Sequence, residues 1–361
     1  MRELCGATQP YPLRVDNLRA TSEKNKMNPK LVLLVVLALL LAIEPAAAAT
    51  TWKIQVWGPK RASLIPFEWY AHEVEARTAG QMKFDIAYDK GKVTDAVPLL
   101  QSGGAEGTFV CTQFFAEKMR LLTIFDLPLI SPDSLGAVGR VELAVADHPA
   151  VAAELRKSNI MMLLPTPLPH YQFMGTRRLA SIDDFKGAKV RISPEMGRVL
   201  EEYGAQSIKT STAEAAGALK EGKLDLVALP YPYAYVTYKV DEVSKYVTDN
   251  ISLGSPLCYM GVSYKAWEAL PPAVKKVMLE LRAPAVARSE QAYATDDAAQ
   301  IAKFKANGLT FVRFDPAERT RLVAKSIKVW NDWIEAREKE GQPGREVFIF
   351  MQDKVREYGR K

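Results

Sequence analysis

At 361 residues, 48% hydrophobic and 25% charged, the chain has the make-up of an ordinary globular protein long enough for two domains, which excludes a fibrous or wholly disordered polypeptide. Its formal charge is +6, but residues 1–26 hold five basic and three acidic side chains, so +4 remains on the rest. That mild excess, with no Lys/Arg-rich run, excludes a nucleic-acid partner gripped through its phosphates.

The first strong signal is "MNPKLVLLVVLALLLAIEPAAAATT". Lys30 precedes an apolar run from Leu31 to Ile43, and small residues follow to Ala49. This reads as a secretory signal over 27–49, with an apolar run too short to span a bilayer. No Cys follows the run, so a lipid anchor is not indicated and the mature chain is expected to be soluble in the periplasm. Residues 1–26 are polar and unpatterned, and are expected to be a non-native extension ahead of a start at Met27. Only Cys111 and Cys258 lie beyond the leader; an exported chain can oxidise them to one bridge or bury them as two thiols, and spacing leaves both open.

Short apolar runs then alternate with amphipathic stretches, the pattern of an α/β fold. "WKIQVWG" (52–58) is a first strand, "PFEWYAHEVEARTAG" (66–80) a helix closed by Gly80, and "MKFDIAY" (82–88) a second strand. "DAVPLLQSGG" (95–104) is a short helix, "GTFVCTQFF" (107–115) a third strand, and "VAAELRKSN" (151–159) a helix before the strand "MMLLP" (161–165). In the second half, "AKVRI" (188–192) and "KLDLVALP" (223–230) are strands, and Ser211 with Glu214 forms a capping box. "LCYMGVSYKAWEALP" (257–271) begins as a strand and turns into a helix. A long helix is expected over 272–306, and "DPAERTRLVAKSIKVWNDWIEAREKEG" (315–341) is another, with Val323, Ile327, Trp330 and Ile334 at three- and four-residue steps.

Arg191 is the residue that asks for a partner. It ends a short strand directly before "SPEMG", so its guanidinium lies beside a helix N-terminus, where free N–H groups and the helix dipole also favour an anion. A structural ion pair is the plainer reading. Other constellations fail: His72, His148 and His170 lack metal-ligand spacing, so no metal or cofactor is expected, and "GGAEG" (103–107) lacks the Lys-Ser/Thr ending of a phosphate loop. Asp183 and Asp184 look like a helix-opening cap. No nucleophile with a base is found, and an enzyme is not expected.

"RRLASIDDFKGAKVRI" (177–192), the spacing to "STAEAAGALKEGKLD" (211–225), "FDLPLI" (125–130) and "AWEALPPAVKKVM" (266–278) together resemble the extracytoplasmic substrate-binding proteins of TRAP-type tripartite transporters, the dicarboxylate-binding kind. The likeness covers nearly the whole mature chain. It implies a two-domain periplasmic-binding-protein-like α/β fold with crossing hinge strands near 170–178 and 256–264 and a long domain-spanning helix. Domain I is expected over 50–169 with parts of 258–361, and domain II over 170–257, completed by C-terminal helices. The implied function is capture of an organic acid and its delivery to the TRAP-type integral membrane permease subunits, by a monomer; the same fold serving a membrane sensor, or an exported enzyme, are the alternatives. The family's carboxylate-binding arginine, at the end of the strand after a "DLKG"-like turn, matches Arg191.

Two departures bear on the ligand. Where the family often has a second arginine on the first crossing strand, this chain has Tyr171, and Leu229 stands in for a ligand-contacting asparagine. A second carboxylate would then meet no cation, which favours an aromatic or branched monocarboxylate, unless Lys60 or Arg177 completes the pocket. Tyr231 and Tyr233, beside Pro230 and Pro232, with Tyr235, Tyr238, Trp57, Phe114 and Phe115, are the aromatic candidates to line it. Gln113 and Thr112 are neutral hydrogen-bonding candidates.

Overall fold

The computed structural model describes residues 49–359, which leaves the expected extension (1–26) and all but the last residue of the expected leader (27–49) outside the described residues. Eleven strands form among them: β1 (Thr50–Gln55), β2 (Met82–Ala87), β3 (Gly107–Cys111), β4 (Ile160–Pro165), β5 (Tyr171–Gly175), β6 (Lys189–Arg191), β7 (Gln206–Ser207), β8 (Leu226–Pro230), β9 (Tyr246–Thr248), β10 (Cys258–Ser263) and β11 (Thr310–Val312). They make two sheets. The first runs β2-β1-β3-β10-β4 and the second β11-β9-β5-β8-β6-β7, with β10 antiparallel to both its neighbours and β5 antiparallel to β8 and β9. β3, β8 and β10 are buried along their whole length, as sheet interiors covered on both faces require.

The chain passes between the sheets by short connections at residues 166–170, from β4 to β5, and at 249–257, from β9 to β10, and returns to the second sheet through the helices that lead from β10 to β11. These passages are the crossing elements; the strands expected to cross, near 170–178 and 256–264, each belong to a single sheet. The two passages are tied to one another, Tyr171 N–H donating to Gly254 O (2.9 Å) and the Ser255 hydroxyl to Leu168 O (2.6 Å). A pair of neighbouring connections is the kind of element end about which two sheets can turn.

The expected helix over 272–306 is three helices, Pro272–Glu280, Arg282–Val286 and Ser289–Ala306. Pro284 explains the first break, since its ring crowds the carbonyl of Glu280 and it has no N–H to donate there. The longest helix is instead Pro316–Lys339, 24 residues, started by Asp315, whose carboxylate accepts from Ala317 N–H. Its Trp330 and Trp333 indoles donate to Pro128 O and to the Thr123 hydroxyl. Val323 and Ile327 on it are exposed rather than core-facing, and Leu322, Ser326 and Val329 take the buried stripe. The local devices read from the sequence form as expected: Ser211 and Glu214 cap each other's backbone N–H, and Asp184 accepts from Ala180 and Ser181 N–H.

One buried carboxyl costs stability. Glu142, on the helix Leu135–Ala146, is 0% exposed, neither of its carboxyl oxygens has a partner among the described residues, and burial pushes its carboxyl well above the ordinary range. The folded state therefore holds a proton that the unfolded chain releases, so the cost grows as pH rises above the ordinary glutamate pKa. Glu142→Leu is expected to raise stability by about 1–3 kcal/mol at neutral pH, with a gap over wild type that widens from pH 5 to pH 8 in thermal melts. A gap that narrows over that range would contradict this reading.

Candidate functional site

Arg191 ends β6, between β8 and the edge strand β7 of the second sheet, and the helix Pro194–Glu201 starts three residues later, as its sequence context implies. The side chain is 2% exposed. It donates from Nη1 to Ala228 O on β8 (3.0 Å) and from Nη2 to the Thr212 hydroxyl (2.9 Å), and it forms no ion pair among the described residues. The structural ion pair is thus not what holds it. A buried guanidinium held only by neutral oxygens remains an electrostatic deficit that an anion would fill.

Tyr171, at the start of β5, lies beside it. Burial pushes the phenol up to about 12, against the charge of Arg191 and the nearby polar groups of Arg191 and Gln113, so at neutral pH the ring keeps its proton and can donate to a carboxylate. Gln113 comes from the tight turn Thr112–Phe114 that follows β3 in the first sheet. Asp126, from the "FDLPLI" stretch, is also buried here; burial and the charge of Glu195 push its carboxyl well up, while the nearby Ser193 and Thr112 hydroxyls oppose that. That shift biases it toward the uncharged form.

Between the sheets lie three connected spaces. The inner chamber has a volume of about 40 Å³ and brings together Trp57, Gln113, Tyr171, Leu229 and Tyr233 of the expected residues. On one side it opens, past Trp57, Phe114, Thr212 and Tyr238, into a mouth of about 670 Å³. On the other, Gln113 and Phe114 separate it from a space of about 370 Å³ walled by Arg191, Ile192 and the start of the Pro194–Glu201 helix. Arg191 therefore stands behind Tyr171 and Gln113 rather than in the chamber wall itself. Tyr231 is not among the walls of any of these spaces: its ring packs on Tyr235 and Phe304, 6.5 and 6.0 Å between centroids. Tyr235 is buried with its hydroxyl spent on Leu229 N–H and the carbonyls of Gln172 and Val227, so it builds the second sheet and not the chamber.

Two features of the chamber were not identified from the sequence. Cys111 and Cys258, opposite one another on β3 and β10, are joined as a disulfide, and both line it. Arg61, 7% exposed, lines it too, with its guanidinium 4.4 Å from the ring centre of Trp57 and 4.7 Å from that of Phe109. The premise that the pocket holds one cation is therefore corrected. Neither basic residue expected to complete it does so: Lys60 is exposed and paired with Glu68, and Arg177 donates to Lys186 O at the surface.

Among the described residues no group of His, Cys, Asp and Glu could hold a metal, and no helix is long and apolar enough to cross a membrane. His148 caps the helix Pro149–Lys157, accepting from Ala150 N–H, and Gly103 ends the helix Ala96–Ser102 in a left-handed turn at the start of "GGAEG". A cleft between two α/β sheets, with aromatic walls and buried cations, is built to hold a small anionic molecule. The chain belongs to the bacterial extracellular solute-binding proteins, family 7, whose model matches residues 55–336. No curated protein matches its sequence significantly. Solved structures share its fold at low identity. A TRAP solute-binding protein from a marine metagenome, specific for aromatic acid ligands and in complex with metahydroxyphenylacetate, is 19% identical with a TM-score of 0.75, covering 86% of this chain and 99% of that one. A TRAP periplasmic solute-binding protein of Bordetella bronchiseptica with bound mandelate is 18% identical, TM-score 0.74, covering 85% and 99%. A Bordetella pertussis extracytoplasmic solute receptor binding pyroglutamic acid is 20% identical, TM-score 0.69, covering 87% and 100%.

Proposed function

We propose that this chain, exported to the periplasm by its leader, captures a small organic acid with an aromatic or branched body and hands it to a TRAP-type membrane permease. The observation that carries the reading is a buried guanidinium, Arg191, with no carboxylate partner among the described residues, set behind two neutral donors, Tyr171 and Gln113, at an aromatic-walled chamber between two sheets. In this reading the carboxylate enters beside Tyr171 and Gln113 and meets Arg191, while the body of the acid lies among Trp57, Phe109, Phe114, Tyr233 and Leu229. Hydroxyphenylacetate and mandelate, bound by two of the structural neighbours, are acids of this kind, and pyroglutamate, bound by a third, is a small cyclic acid. At about 40 Å³ the chamber is far below the roughly 300–1,000 Å³ of ordinary ligand pockets, so the acid needs the sheets to turn apart about residues 166–170 and 249–257.

The test is a competition assay following a thermal-shift panel, since a ligand of the folded state raises its melting temperature by mass action. Benzoate, 3-hydroxybenzoate and mandelate are expected to outcompete succinate and malate. A C4-dicarboxylate binding at least about ten-fold tighter than every aromatic monocarboxylate would contradict the ligand class. Genes for a permease pair beside this one are expected; a sensor-kinase gene in their place would point to sensing instead.

A further inference from the structure

Arg61, like Arg191, has no ion-pair partner among the described residues. It sits just ahead of the helix Ile65–Arg77, on the first-sheet side of the chamber, whereas Arg191 belongs to the second sheet. Its Nη1 is fixed by two main-chain carbonyls, Trp57 O at 3.0 Å and Pro59 O at 2.9 Å. The Trp57 ring beneath it is itself pinned, its indole donating to Phe109 O (2.6 Å). The guanidinium plane is thus set by two hydrogen bonds and two aromatic faces, and it is not free to swing out to solvent. Yet its Nη2 is buried without any hydrogen-bond partner, and Arg61 makes no ion pair among the described residues. Cation–π contact offsets part of the cost of burying the charge, but it does not satisfy an N–H group.

We propose that Arg61 is a specificity-determining residue: its Nη2 donates to a second oxygen of the ligand, a hydroxyl, keto or carboxylate oxygen carried on the body of the acid away from the anchored carboxylate. The proposal rests on the reading of Arg191 as the carboxylate anchor. The ligand would then bridge the two sheets, with one oxygen-bearing group on each, so that full pairing of both guanidinium groups occurs only when the sheets are together on it. An acid lacking the second oxygen would leave Nη2 unpaired, and a site built to hydrogen-bond an oxygen rejects the analogue that lacks it.

The test titrates matched pairs differing by that oxygen, 3-hydroxybenzoate against benzoate, mandelate against phenylacetate and succinate against butyrate, into wild type, Arg61→Met and Arg191→Met. In at least one pair wild type is expected to prefer the oxygen-bearing acid by about ten-fold or more, and Arg61→Met to lose that preference. Arg191→Met is expected to weaken both members of the pair together. If Arg61→Met does not fold, Arg61→Gln keeps a donor for the Trp57 carbonyl and is expected to show the same loss. Wild type with no preference in any pair, as when a water satisfies Nη2, or a preference that survives in the Arg61 variant, would overturn the proposal. Unchanged binding in Arg191→Met would instead sink the anchor reading, and the two failures are read from different variants.

Discussion

Arg191→Ala is expected to weaken binding of the cognate acid by about 2–5 kcal/mol, a loss of roughly 30-fold to several thousand-fold in calorimetry. The magnitude follows from where the guanidinium is. It is 2% exposed, held by Ala228 O and the Thr212 hydroxyl, with no ion pair among the described residues. Removing it takes away the charge that meets the ligand and leaves the ligand's own carboxylate desolvated beside two neutral donors. Arg191→Lys is expected to bind poorly as well, because a point charge on a flexible stem cannot hold Thr212 and Ala228 in the same fork while meeting an anion. A folded Arg191→Ala protein that binds within a few-fold of wild type would show that the anchor lies elsewhere.

The second large effect is on stability. Cys111 and Cys258 close a loop across a sequence separation of 147 residues, and they tie β3 to β10, the strand that returns from the second sheet. In the chain-entropy account a loop of this length contributes on the order of 3–5 kcal/mol. Reduction, or the paired substitution Cys111→Ser with Cys258→Ser, is expected to lower the melting temperature by roughly 5–10 °C for a chain of this size. Because both cysteines line the chamber, the same change should also weaken binding of the acid. An oxidised and a reduced protein melting at the same temperature would contradict this account. A formed bridge also suits an oxidising compartment, in keeping with an extracellular family.

Much of the fold was legible because period and punctuation act locally. The apolar runs that became β2, β4, β8 and β10 are bounded by turn residues, and Gly80, Gly103, Ser211 with Glu214, and Asp184 mark ends or starts by backbone chemistry that needs no tertiary context. The strands β7, β9 and β11 are two or three residues long and were not readable, since so short an element is set by its neighbour in the sheet and not by its own pattern. The crossing passages were misplaced by a few residues for the same reason: which sheet a strand joins is a non-local fact.

The candidate site was legible in part. Arg191 stood out because an arginine at a strand end before a Pro-started helix has an uncommon environment. The same signal recurs at Arg61, which closely follows β1 and precedes a helix with Pro66 in its first turn, and it was passed over for Lys60 beside it. Tyr231 and Tyr233 show the limit of reading aromatic supply from composition. The two rings lie two residues apart, yet Tyr233 lines the chamber against Tyr293 while Tyr231 leaves to pack on Phe304, because the helix Ser289–Ala306, distant in sequence, offers a partner to each. The disulfide likewise rests on a strand pairing that joins residues far apart in the chain.

The most direct test of the central claim is a crystal structure of the protein in complex with whichever acid raises its melting temperature most. The account predicts the carboxylate within about 2.7–3.1 Å of the Arg191 guanidinium and beside Tyr171 and Gln113, in a chamber widened beyond its present 40 Å³ by rotation about residues 166–170 and 249–257. An acid bound with its carboxylate out of reach of Arg191, in the mouth near Lys92 and Ser211 or on Arg61 alone, would contradict it.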